Sequence, residues 1–305
     1  MKWWFIFVVA LICCSSCANK KLLNLQNDLK YRRNACFYYI DSFQGEPTTF
    51  QVIPKEQLTK SGEFSWSEMH ILSILNVEQE LAQLTESPSG EELNKLRLSI
   101  YYKFQALTME VSGTAAMLDC EEERTEQVSD YLADLQAKRE QKLTVGSIIT
   151  GGAVGLGSVL LLTSDRDGRW IDILGIIGGV TEVILGVSIL KTDFRVDIQH
   201  PINPLREIYT GERETTFFSD EVWWFLNNHR LDQQSPTVAE SLREEWIQFY
   251  GLESGSVFFQ DGGKYNADEL KLRADLIDQL EARVLLMQQS ISKLMFKLGK
   301  NLSLD

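Results

Sequence analysis

Two apolar, glycine-rich segments constrain the fold of this chain more than any other feature. The first covers residues 143–163 (LTVGSIITGGAVGLGSVLLLT) and has no charged side chain, and the second covers residues 171–190 (IDILGIIGGVTEVILGVSIL). A short polar connection, SDRDGRW, joins them. Two long apolar runs with a short polar tip are typical of paired antiparallel helices. The sequence therefore predicts a glycine-rich, apolar helical hairpin over residues 144–190.

Small residues in the hairpin predict where its two helices approach each other. They recur at four-residue spacing, which allows two helix backbones to pack closely. Each glycine also costs about 1 kcal/mol relative to alanine in a helix interior, so this many glycines need packing in return. Glu182 lies within the second segment, where we expect it to fix the helix register. The residues predicted to set the packing are Gly151, Gly155, Gly175, Gly179 and Glu182.

Three environments would cover such a hairpin. A bilayer is one, because about 20 apolar residues span it, although a carboxylate such as Glu182 costs about 2.5–3.5 kcal/mol at its centre. The centre of a helical bundle is the second. The third is a hairpin that is stored in the bundle or oligomer and released to a membrane or a partner. The sequence leaves all three open.

Heptad seams flank the hairpin on both sides and predict coiled-coil packing. In residues 91–143 apolar side chains recur at steps of four and three, and residues 267–305 repeat the pattern. Pairing of these two helices within the chain is favoured, although self-association between copies would satisfy both seams equally well. The first seam comprises Ile100, Phe104, Leu107, Val111, Thr114, Leu118, Val128, Leu132 and Leu135, and the second Ile277, Leu280, Val284, Met287, Ile291, Leu294 and Leu298.

The N-terminus has the features of an export signal. Lys2 precedes a short apolar run over residues 3–12, and Ser15 and Ser16 lead into Cys17. This arrangement resembles the lipobox of bacterial lipoproteins. The resemblance implies that residues 1–16 are a signal peptide, that Cys17 carries the lipid anchor and that the protein is held at a membrane. An uncleaved anchor and an ordinary secretory signal are the alternatives.

The residues after Cys17 and the remaining cysteines indicate the cellular compartment in which the protein is located. Lys20 and Lys21 make the start of the mature chain basic, which favours the periplasmic face of the outer membrane. Outside the signal and Cys17 only Cys36 and Cys120 are left. Two cysteines in an oxidising envelope invite a disulfide, and two separate buried thiols are the alternative.

Net charge limits the choice of partners. The chain carries 30 Lys and Arg against 43 Asp and Glu, a net charge of −13, and it has no basic stripe interleaved with aromatic residues. Nucleic-acid binding requires a basic face, so we expect no nucleic-acid partner. The expected partners are a membrane, through the lipid anchor or the hairpin, and a protein or a second copy of the chain.

Two further regions complete the predicted organisation. In residues 17–90, Ser65 and Glu68 form a capping-box pattern that opens a helix continuing through Leu81. Residues 191–266 form an aromatic-rich α(+β) insert with a short strand over residues 256–260. Its aromatic side chains are interpreted either as the core of a small helical cap, which is favoured, or as a docking surface for a protein, glycan or lipid headgroup. They are Trp223, Trp224, Phe225 and Trp246.

Sequence motifs for catalysis are not found. His70, His200 and His229 are far apart in sequence and lack metal-ligand spacing. The chain has neither a nucleophile elbow nor a P-loop. We therefore predict no catalytic residue, no cofactor and no metal site, with an envelope hydrolase only as a third hypothesis.

These patterns predict a mainly α protein: an elongated helical bundle or coiled-coil stalk with an apolar hairpin and a small insert. The expected role is a non-enzymatic scaffold or subunit of a cell-envelope assembly. The order of long helix, glycine-rich hairpin and long helix over residues 92–298 is similar to that of α-helical pore-forming toxins of the ClyA and haemolysin BL type. This resemblance implies the alternative role, a membrane-active protein whose hairpin perforates or bridges a bilayer.

Overall fold

A computed structural model describes residues 20–29, 36, 50, 64–86, 88–162, 169–190, 193–230, 232 and 234–301. The predicted signal peptide, the predicted lipidation site Cys17 and the hairpin tip at residues 163–168 lie outside the described residues. The prediction of a mainly α fold is confirmed, because helices dominate the described chain and its strands are short.

Helices lie at both ends of the described chain, and its two strands lie in the second half. Residues 20–29 are helical. After them come α1 (Trp66–Leu75), α2 (Glu78–Thr85), α3 (Gly90–Leu162), α4 (Arg169–Leu190), β1 (Val196–Gln199), α5 (Pro204–Thr210), α6 (Asp220–Asn228), α7 (Val238–Tyr250), a 3₁₀ turn (Val257–Phe259), β2 (Gly262–Tyr265) and α8 (Ala267–Asn301). Strands β1 and β2 pair in a two-stranded sheet.

The chain divides into two compact units. The hairpin unit consists of Met1–Tyr31, Glu126–Ile198 and Lys264–Lys271. The core unit consists of Arg32–Thr125, Gln199–Gly263 and Leu272–Asp305. Each unit takes up part of the two longest helices, α3 and α8.

Helix α1 begins where the sequence predicts but is shorter than expected. The Ser65 hydroxyl accepts the Glu68 N–H and the Glu68 carboxylate accepts the Ser65 N–H, which is a complete capping box. The prediction of a helix continuing through Leu81 is wrong, because Asn76 ends α1 with φ 47°. Asparagine tolerates this left-handed conformation, so the chain turns there and starts again as α2.

Helices α3 and α8 pack antiparallel within one chain. In the core unit, the Gln288 amide donates to the Ser112 hydroxyl at 3.1 Å. In the hairpin unit, the Ser129 hydroxyl donates to the Ala267 carbonyl at 2.7 Å. Low numbers on one helix therefore face high numbers on the other. Every residue of the two predicted seams is buried, so the seams need no second copy of the chain to cover them.

The boundary that we expected near residue 143 is not a structural break. Helix α3 continues for 73 residues, from Gly90 into the first half of the hairpin. Only α4 starts anew after the tip. The seam helix and the first hairpin helix are therefore one element.

In the insert, the position of the strand differs from the prediction. Residues 257–259 form a 3₁₀ turn, and the strand begins instead at Gly262. Gly262 has φ 153°, and a Cβ on Gly263 would overlap the Val257 side chain. The two glycines thus allow the chain to remain extended against the 3₁₀ turn, where a sequence-based interpretation sees only a turn signal.

A disulfide joins Cys36 to Cys120 in the core unit. Cys120 lies on α3, and Cys36 is buried. The bond ties a residue of the N-terminal region to the helix that carries the first seam.

Candidate functional site

Two close approaches hold the helices of the hairpin together. A Cβ on Gly178 of α4 would lie 2.9 Å from both methyl carbons of Val154 on α3. A Cβ on Gly151 would lie 2.7 Å from Oε1 of Glu182. Valine is stiff at its branched Cβ, whereas a glutamate terminus moves easily. The Gly178 contact is therefore the tighter constraint on helix approach.

Three of the predicted packing glycines do not bring the two hairpin helices close together. A Cβ on Gly155, Gly175 or Gly179 would meet no other atom within 4 Å among the described residues. All three lie on exposed parts of their helices. Only Gly151 and Glu182 of the predicted set face each other, and Gly178, not the predicted Gly179, meets the neighbouring helix.

The outer side of the hairpin is an exposed aliphatic surface, which we call the hairpin face. Its side chains are between 46% and 71% exposed. They are Val145, Ile148, Ile149, Leu156 and Val159 of α3 and Ile176, Val180, Val183, Ile184 and Val187 of α4. Within the described residues the hairpin face is uncovered, which argues against burial at a bundle centre, one of the three environments that the sequence leaves open. Exposed aliphatic side chains in such number mark contact with a protein or a membrane.

Glu182 interrupts the aliphatic character of the hairpin. Its side chain is exposed, although Oε1 lies against Gly151. Within the described ranges, none of the helices combines the length and the hydropathy needed to cross a bilayer.

We expect Gly178→Leu to lower the free energy of unfolding of the hairpin unit by about 1–3 kcal/mol, because the new side chain must displace Val154. The matched control is Gly179→Leu, one residue away in the same helix and facing open space. It should raise stability by up to about 1 kcal/mol, since leucine is the better helix former. Chemical unfolding of the two full-length variants, monitored by circular dichroism, makes the comparison. Equal effects of the two substitutions would remove the close-approach argument.

The structure buries the aromatic residues that were candidates for a docking surface. Trp223, Phe225 and Trp246 are at most 8% exposed, and Trp224 is half-buried beside Phe50 and His70. The Trp246 indole N–H donates to Gln279 at 3.1 Å. The docking interpretation is therefore wrong, and these side chains form the core of the insert.

Two histidines that are far apart in sequence meet beside this aromatic core. The rings of His70 and His229 are 5.6 Å apart, and His229 stacks on Phe225 at 4.3 Å. Burial lowers the pKa of each ring to about 4, with a further contribution from Arg230 at His70 and from His70 at His229. Both rings are therefore neutral at pH 7. The spacing of histidines in the sequence does not predict this pair, because the two residues are 159 positions apart.

His200 lies elsewhere in the core unit, in a cluster of buried polar groups. Burial and the nearby Arg273 and Arg124 hold the pKa of His200 well below its usual range. Arg273 is fully buried and lies 4.0 Å from the Glu121 carboxylate. It also donates to the Asn203 side chain and to the Phe258 carbonyl. This cluster ties α8 to the insert.

A carboxyl cluster on α3 and α6 is a further feature that the sequence did not reveal. Burial, followed by the charge of Glu221, raises the pKa of Glu110 to about 8. Glu110 therefore holds a proton at neutral pH and shares a hydrogen bond with Glu221. Throughout the described residues, no group of three or more His, Cys, Asp or Glu side chains is placed to hold a metal ion.

Comparison with protein-family models, with curated proteins and with solved structures gives no match. The arguments for function therefore rest on the residues themselves. The exposed hairpin face is the feature that most needs an explanation, because ten aliphatic side chains of two adjoining helices are exposed there.

Proposed function

We propose that the protein is a non-enzymatic scaffold or subunit of a cell-envelope assembly, and that the hairpin face is its contact surface. The lipidated Cys17 anchors the protein at the periplasmic face of the outer membrane. The antiparallel pair of α3 and α8 carries the hairpin, and the hairpin binds a protein partner or a second copy of the chain.

The observation that carries this proposal is the exposure of the hairpin face. Each square ångström of apolar surface removed from water contributes about 25 cal/mol, so covering ten aliphatic side chains stabilises a complex by roughly 10 kcal/mol before the costs of association. That is enough for a specific complex. In a lone chain the same surface is an aggregation hazard.

Glu182 favours a protein partner over hydrocarbon. Its carboxylate is exposed within the hairpin. A charged side chain is costly at the centre of a bilayer, whereas a protein surface can offer a hydrogen-bond donor or a cation. The same residue that complicates membrane insertion is thus a natural point of recognition for a partner.

Photocrosslinking in cells tests the proposal directly. A photoreactive amino acid at Ile148 or Ile176 should give discrete protein adducts of defined mass. Placed at Phe249, an exposed residue of α7 in the core unit, it should give none. Adducts with lipid alone at both hairpin positions would contradict the scaffold role. Equal adducts at Phe249 would show that the hairpin face is not selective.

The second candidate is a membrane-active protein whose hairpin inserts into a bilayer. It is favoured by the composition of the hairpin face, which is entirely Val, Ile and Leu. Replacing residues 1–17 with a cleavable signal that lacks cysteine removes the lipid anchor and separates the two roles. The scaffold role predicts that carbonate washing releases this protein from membranes. Retention after washing, together with leakage of liposomes, would establish the second candidate instead.

A further inference from the structure

A cavity of about 430 Å³ opens on the core unit, among α1, α6, α7 and α8. Among the described residues, its charged lining side chains are Arg230, Arg283 and Lys293, and none of its lining side chains is acidic. This is unusual in a chain of net charge −13. Its volume lies within the usual range for small-molecule sites, roughly 300–1,000 Å³.

The three cations are not equally available to a ligand. Arg283 lies 2.6 Å from the Glu245 carboxylate, and Arg230 lies 3.4 Å from Glu240. The part of the chain that the structure describes offers Lys293 neither a hydrogen-bond acceptor nor an ion-pair partner. Lys293 therefore brings a positive charge to the cavity that no carboxylate of the described residues pairs with.

Lys293 marks one end of an elongated site. The lining positions of α8 run from 283 to 293 on one helical face, a distance of about 15 Å. One turn beyond Lys293, Lys297 pairs with Glu68 of α1 at 2.8 Å. The Lys293 end is thus the end beside α1, where Ser67 lines the cavity.

His229 adds hydrogen-bonding capacity to the lining. Its side chain is only 7% exposed, its Nε2 lies 3.5 Å from the Ser67 hydroxyl, and its Nδ1 is buried with no hydrogen-bond partner in the described structure. Nδ1 is closed off from solvent, so the hydrogen-bonding capacity that His229 offers to a ligand is that of Nε2, beside Ser67. A cation, a hydroxyl and an imidazole thus line the cavity together.

The remaining wall offers carbon surface. Phe225, Pro236, Val238 and Leu286 contribute apolar atoms to the cavity. A ligand that fills the site therefore needs a charged part and an apolar part. An inorganic anion would leave the apolar wall in contact with water. A neutral hydrocarbon would leave Lys293 without a counter-charge.

We propose that this cavity binds a small anionic amphiphile, with a phosphate or carboxylate head at Lys293, Ser67 and His229 and a short apolar tail against Phe225 and Leu286. Every described residue that lines the cavity belongs to the core unit, so this site is a different surface from the hairpin face.

Calorimetric titration with hexyl phosphate tests the proposal. The full chain is held in discs of phosphatidylcholine, which has no net charge, and empty discs give the background from partition. We expect one hexyl phosphate per chain. Inorganic phosphate and hexanol should each bind at least tenfold more weakly. If inorganic phosphate binds as tightly as hexyl phosphate, the site does not require an apolar tail. If hexanol binds as tightly, the site does not require an anionic head. Either result would overturn the proposal.

Variants locate the binding. Lys293→Gln should weaken hexyl phosphate binding at least tenfold, and it breaks no ion pair or hydrogen bond of the described core. Lys300→Gln on the same helix is the matched control, because Lys300 lies over Phe296 outside the cavity, and it should change nothing. Leu286→Ser should weaken hexyl phosphate several-fold and leave inorganic phosphate unaffected. Absence of hexyl phosphate binding, or equal binding by Lys293→Gln and Lys300→Gln, would overturn the proposal.

Discussion

Replacing Arg273 with methionine is expected to lower the free energy of unfolding by about 3–5 kcal/mol. The guanidinium is fully buried and faces Glu121, which is only 2% exposed. It also donates to Asn203 and to the Phe258 carbonyl, groups that methionine cannot satisfy. The substitution leaves the buried Glu121 carboxylate with Arg124 as its remaining charge partner, and the Asn203 side-chain oxygen loses both hydrogen bonds that Arg273 donates to it. Urea unfolding of the full chain measures the loss.

A matched control lies on the same helix. Arg283 pairs with Glu245 at 2.6 Å, but both side chains are about one-third exposed, so Arg283→Met should cost less than about 1 kcal/mol. The double variant Arg273→Met/Glu121→Met should recover part of the stability that the single variant loses, because it removes the stranded carboxylate. A loss at Arg273 no larger than that at Arg283 would show that burial does not strengthen the Arg273–Glu121 pair.

Periodicity and capping explain why much of the helical fold could be predicted. A helix buries one stripe, so apolar residues at steps of three and four mark its inner side wherever the partner lies. Every residue of the two predicted seams is buried. Capping is also local, because Ser65 needs only Glu68 three positions away to start α1. Both signals depend only on residues that are close to each other in sequence.

Contacts between distant residues could not be predicted from such signals. Glu121 and Arg273 are 152 positions apart and His70 and His229 are 159 apart, and no sequence pattern links one residue of either pair to the other. The end of α1 at Asn76 could be predicted only weakly. Asparagine at the end of an apolar run is compatible with a left-handed residue but does not require one. Which polar groups meet in the core is decided by the fold.

The hairpin shows where small-residue spacing misleads. Four-residue spacing predicts the pair Gly175 and Gly179, but α4 also carries Gly178 next to them. A glycine-rich helix has several stripes of small residues, and spacing alone cannot say which one faces its neighbour. The structure selects the stripe of Gly178, because Val154 lies against it. The predicted glycines that are exposed lie on the same helices as the aliphatic side chains of the hairpin face.

We expect loss of the Cys36–Cys120 disulfide to lower the free energy of unfolding by about 4–5 kcal/mol. The bond closes a loop with a sequence separation of 84, and a cross-link of that span removes much of the conformational freedom of the unfolded chain. The double variant Cys36→Ala/Cys120→Ala should therefore unfold at a much lower urea concentration than the oxidised protein. Adding a reductant should bring the natural chain close to the double variant.

The double variant also provides the control for the reductant. It lacks the bond, so a reductant should leave its urea midpoint unchanged, and any shift would report a different target. The loop closed by the bond includes α1, α2 and the seam of α3 up to Leu118, which contain a large part of the core of this unit. Loss of the cross-link should thus lower the stability of the core unit. Equal urea midpoints for the oxidised protein and the double variant would mean that packing of the seams alone sets its stability.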